Sequence, residues 1–275
     1  MVKKLFKYEL KHYLGTVLLL EFVVMLVAFF TRIITLFESD TVMYTIISVS
    51  SVVFLAIAIL ASFIITEILI VVRFYKNLFS SEGYLSFTLP VTESQHIFVK
   101  LTSAILMNIT VLCGALVAVF VASFGELGVE IFKAAIYLIK HYFVSGSSGV
   151  LGVISVIGFV VEAILFMLVS QCFAYLLYYS CMTIGQLAKK NRVLASIGVY
   201  FVYTFVMQTI STIIAIVVSI FALSEYAYSI EVFWEENTEP LRHIISVFAI
   251  LIVTALAFGL FSLIRRILSR KLNLE

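Results

Sequence analysis

The stretch "VMYTIISVSSVVFLAIAILASFIITEILIVV", residues 42–72, carries a single charged side chain, Glu67. A hydrocarbon layer about 30 Å thick is crossed by about 20 apolar residues of helix. This run therefore reads as a membrane span with residues to spare. Working outward, segments 14–36, 101–124, 150–182, 194–223 and 242–264 have the same character. Lipid offers backbone groups no hydrogen-bond partner, so a span must satisfy its own, as a helix does. The alternation of a transmembrane barrel is absent. The sequence predicts an all-α integral membrane protein with six transmembrane helices. Segments 42–72 and 150–182 exceed the bilayer's needs, so they tilt, kink or project into water.

Composition agrees. Of 275 residues 63% are apolar and 12% are charged, with mean hydropathy +1.17. Soluble domains run at about 45–50% apolar and about 25% charged. A water-soluble fold cannot wet such a surface. The net charge of +2 argues against nucleic acid as a partner. Segments 1–13, 73–100, 183–193 and 265–275 hold 14 of the 18 Lys and Arg residues, whereas 224–241 has five glutamates and neither base. By the positive-inside rule both termini are cytoplasmic.

The whole chain, 1–275, reads as one membrane domain. Residues 1–13 place Lys3, Lys4, Lys7 and Lys11 on one side of a helical wheel and Val2, Phe6, Leu10 and Tyr13 opposite. That pattern fits an amphipathic helix in the membrane interface, or a plain basic flank. The run that follows is too long for a signal-peptide core and reads as a permanent span. Segment 125–149 repeats apolar residues at helical spacing (Val129, Phe132, Ile136, Ile139, Phe143) and ends in "SGSSG", a flexible joint. Together with 224–241, whose Trp234 suits the headgroup level, it is expected on the outer side.

Chemistry-bearing motifs are few. Cys113, Cys172 and Cys181 lie in or at the end of apolar segments, without CxxC or Cys/His metal spacing. There is no GxxxxGK[ST] loop, HExxH helix or GxSxG elbow. No enzyme and no cofactor is expected in this chain, so energy for work comes from elsewhere. Glu21, Glu67 and Glu162 fall inside spans, where a charge costs at least about 2.5–3.5 kcal/mol and usually faces protein or water. Glu21 and Glu67 are expected at similar depth. They line a pathway for a cationic or amphipathic substrate, or they are hydrogen-bonding groups between packed helices.

The segment "RFYKNLFSSEGYLSFTLPVTESQHIFVKL", 73–101, is the one sizeable polar interruption among the first three spans. Phe79, Glu82-Gly83-Tyr84-Leu85, Thr88-Leu89-Pro90-Val91 and Lys100-Leu101 make it resemble the cytoplasmic loop between the second and third spans of ABC-2-type exporter permeases. The lead-in "LFKYELKHYLGTVLLLEF", 5–22, resembles the family's amino end. The resemblance implies a multi-pass permease in a bacterial plasma membrane, paired with a second, identical or related, permease subunit. A separate ABC ATPase subunit would bind ATP and Mg. Its motion would enter through Phe79, Glu82, Gly83, Tyr84, Leu85 and Pro90, driving export of an amphipathic peptide, lipid or drug. An ion-coupled carrier, a membrane-embedded enzyme and a non-transporting immunity or sensor protein are the other readings.

Overall fold

A computed structural model describes residues 2–37, 39–79, 83, 90–125, 128–130, 133–134, 136–137, 150–188, 190–222 and 238–271. At 150–156, 221–222, 238–240 and 270–271 it describes the backbone alone. The apolar runs become six helices: α1 (Val2–Leu36), α2 (Val42–Phe79), α3 (Glu93–Ala122), α4 (Val150–Gly185), α5 (Arg192–Ala222) and α6 (Thr238–Lys271). All six are long and apolar enough to cross a membrane, and the described residues contain no strand.

Three boundaries differ from the apolar segments. α1 begins at Val2 and runs without a break through residues 2–13 into the span. α2 continues to Phe79, and α3 starts at Glu93, not near 101. Hydropathy marks where lipid ends, whereas a helix ends where its terminal backbone groups find other partners. At α3 that partner is Thr92, whose hydroxyl accepts the Gln95 N–H while the Gln95 side chain accepts the Thr92 N–H at 3.1 Å. This capping box fixes the start, and Pro90 lies exposed two residues earlier. Most of 125–149 and of 224–241, including "SGSSG" and Trp234, lies outside the described residues.

The helices form two compact units, residues 1–148 and 149–275. In the first, α1 packs most extensively on α3 and next on α2, with α2 also touching α3. Glu9 meets Lys100 and Glu21 meets Gly114, so α1 and α3 run parallel. Thr31 donates to the Ser51 carbonyl while Glu9 reaches Arg73, so α2 runs antiparallel to α1. Lipid tails are as apolar as leucine, so packing and polar contacts, not hydrophobicity, hold such helices together. The seam follows suit: Ala28, Ala104, Ala115, Ala118 and Ser103 are buried between the backbones. Val24, Ala28, Leu55 and Ala118 close the end away from residues 80–92.

In the second unit α4 packs along α6 and, less extensively, α5. Its core is aromatic and polar, with Tyr175, Tyr179, Thr183 and Ile264 fully enclosed. α4 and α5 form a tight hairpin. Asn191 takes a left-handed φ of 52° at the turn, and the Ser196 hydroxyl donates to the Arg192 carbonyl at 3.0 Å. Asparagine is among the few non-glycine residues that tolerate that backbone region.

Candidate functional site

The most heavily built polar site lies where α2 ends and α3 begins. Each of the three helices of the first unit contributes. Glu9 of α1 is 3% exposed, and its carboxylate is shared. Oε1 accepts from Lys100 Nζ of α3 and from Asn77 Nδ2 of α2, both at 2.8 Å, while Oε2 faces Arg73 Nε of α2 at 3.5 Å. Lys100 and Asn77 are buried; Arg73 is partly open. Tyr13, one turn further along α1, and His96, in the first turn of α3, are buried in the same end of the unit. One carboxylate therefore answers two cations from the two helices that flank residues 80–92.

Of the six sequence-predicted coupling residues, Phe79, Gly83 and Pro90 are described. Phe79 closes α2, its ring 5.8 Å from that of Phe74 and 6.1 Å from that of Tyr75. Gly83 is buried and helical, with its Cα against the Leu78 carbonyl; a Cβ would stand 2.6 Å from that oxygen, a contact only glycine avoids. Pro90 is exposed ahead of the Thr92 cap. Glu82, Tyr84 and Leu85 lie outside the described residues.

The intramembrane glutamates occupy separate places. Asn108 Nδ2 donates to Glu67 Oε1 at 2.9 Å, joining α3 to α2. Glu21 is 7% exposed and neither of its oxygens has a hydrogen-bond partner among the described residues. It lies beside Ser62, whose hydroxyl donates to the Ile59 carbonyl, and packs flat on Gly114. A methyl group at 114 would overlap the carboxylate. The α3 residues that Glu21 and Glu67 meet are six positions apart, or about 9 Å along the axis. The two carboxylates thus sit in successive layers rather than facing each other.

Glu162 belongs to the second unit. Its Oε1 lies 2.9 Å from His243 Nδ1 and its Oε2 accepts the Ser246 hydroxyl, tying α4 to α6. Arg242 stacks over the Phe159 ring at 5.4 Å. Glu162, Ser246, Arg242 and Phe159 edge a largely apolar groove of about 520 Å³ that also includes Phe166, Ile245 and Ala249.

No family model, curated protein or solved structure matches this chain.

The shared junction at Glu9 escapes sequence reasoning because its members are 64, 68 and 91 residues apart. Its one local signal was Glu9 itself, the sole acidic residue before Glu21 in a lysine-rich helix. Among the described residues no group of His, Cys, Asp and Glu has the makings of a metal site.

Proposed function

We propose that this chain is the membrane-spanning permease subunit of an ATP-driven exporter, with both termini and residues 80–92 on the cytoplasmic side. In this reading α2 and α3 are the arms through which a separate ATPase subunit moves the spans. Residues 1–13 are the helix that braces them at the membrane surface. Binding of ATP by the partner favours one arrangement of the spans over another, and the population follows.

The observation that carries the reading is the segment 73–101 with its family-like residues, set between two helices whose polar ends are joined through Glu9. A contact that transmits force must be stiff, and a junction of buried ion pairs, a capped helix start and a closely packed glycine supplies stiffness where a plain linker would not. The absence from the sequence of a nucleotide-binding loop fits a subunit driven from outside.

Isolation in mild detergent from its native host tests this. An ATPase that co-purifies, and is lost from a Tyr84→Asp/Leu85→Asp variant, supports the proposal. Recovery of the chain without any ATPase, or labelling of residues 80–92 from outside intact cells, overturns it. Glu21, buried beside Ser62 and with no geometric hydrogen-bond partner among the described residues, favours a second reading, an ion-coupled carrier. That reading requires cargo movement by the chain alone, driven by an ion gradient and abolished by Glu21→Gln.

A further inference from the structure

Glu9 is the only acidic side chain in the first twenty residues, among Lys3, Lys4, Lys7 and Lys11. On the helix the four lysines fall on one exposed side and Glu9 falls opposite them, buried against α2 and α3. No other rotation of this part of α1 about its axis brings an anion to Lys100 and Arg73; a half-turn would bring the lysine face. Those two cations belong to different helices, 27 positions apart in the chain, one on each side of residues 80–92. Glu9 is the counterion that the two share, and positive charges brought together at reduced dielectric repel where none stands between them.

We infer that Glu9 is a positioning residue, the joint that makes the amino end of α1, the end of α2 and the start of α3 move as one body. Residues 80–92 then deliver a displacement to three helices at once. The amino-terminal helix is part of the moving element and not a passive flank. Asn77 adds direction: its amide donates to the same Oε1 that receives Lys100, so α2 is held by hydrogen bonding as well as by charge. The mechanical consequence rests on the coupling role proposed above; the joint itself does not.

Spin-label distances test both separately. With Cys113, Cys172 and Cys181 replaced by Ser, labels go at Lys76 and Phe98, which are exposed on α2 and α3 beside the junction. A second pair joins Tyr8, also exposed, to Phe98. In nanodiscs the parent chain is expected to give one narrow distribution for each pair. In the complex with its ATPase, both stay narrow when ATP and vanadate are added. Glu9→Gln is expected to broaden the 76–98 distribution at least twofold, a change that mere loosening of α1 would not cause. The charge exchange Glu9→Lys/Lys100→Glu puts the shared carboxylate on α3 and is expected to restore the narrow distribution. A 76–98 distribution as narrow in Glu9→Gln as in the parent overturns the joint, as does an exchange variant as broad as the single one. If no ATPase co-purifies, the coupling role fails, while the nucleotide-free distances still decide the joint.

Discussion

The sharpest energetic prediction concerns the unequal cost of removing the two partners of the shortest ion pair. Glu9→Gln keeps the shape but removes the carboxylate that Lys100, 5% exposed, and Arg73, 23% exposed, share. Breaking a buried pair from one side costs about 3–5 kcal/mol. Lys100→Met leaves a balanced arrangement, because the carboxylate keeps Asn77 at 2.8 Å and Arg73 at 3.5 Å. That loss is closer to one charged hydrogen bond, about 1.5–3 kcal/mol. The difference, about 2 kcal/mol, is roughly 30-fold in the unfolding equilibrium. In the double variant Glu9→Gln/Lys100→Met the remaining Arg73 can turn to water. Its cost is therefore expected to fall short of the sum of the single changes by about 1–2 kcal/mol. Equilibrium unfolding in mixed micelles of rising sodium dodecyl sulfate fraction, followed by circular dichroism, measures all four chains. Equal losses for the two single variants, or a Glu9→Gln loss below about 1 kcal/mol, would refute the shared-counterion argument.

Other predictions follow from single contacts. Gly114→Val drives a branched side chain into the Glu21 carboxylate and is expected to cost about 1–3 kcal/mol in the same assay. In a Glu21→Ala background that penalty shrinks, and an undiminished one would show that the clash lies elsewhere. Thr92→Ala removes the cap of α3 and is expected to cost about 0.5–2 kcal/mol, with faster amide exchange confined to its first turn. For Glu162 the unfolding midpoint is expected to order as parent, then Glu162→Gln, then Glu162→Ala, since the amide keeps an acceptor for Ser246 and alanine keeps none. An alanine variant with the parent's midpoint would remove this contact from the account of α4–α6 packing.

Helix number and kind are written in the hydropathy of the chain, because a long apolar run has only one way to satisfy its backbone in lipid. The polar extensions are less visible. Residues 2–13, 73–79 and 93–100 are helical without being apolar, and the clue to the last of them is local: Thr92 and Gln95 stand at capping-box spacing. Side-chain pairing is less visible again. Asn108 and Glu67 are 41 residues apart, and His243 and Glu162 are 81 apart. The sequence marks the glutamates as costly in lipid but does not say which helix meets the cost. Lys100 is the instructive case, since by position it is an ordinary basic residue at a helix start, yet it is 5% exposed and its ammonium group lies against a carboxylate. Only the register in which α1 packs on α3, seen at Glu9–Lys100 and Glu21–Gly114, brings the two together.

The capped start of α3 and the carboxylate that α2 and α3 share have a bearing on how freely residues 80–92 can diverge. The spacing of α2 and α3 is held by Glu9, Arg73, Asn77 and Lys100, all outside that segment, and by Thr92 at its edge. Apart from Gly83 and Thr92, its residues can therefore change while α2 and α3 keep their spacing. If that segment is the contact proposed above, a new partner would be acquired by rewriting it, with the six helices left untouched.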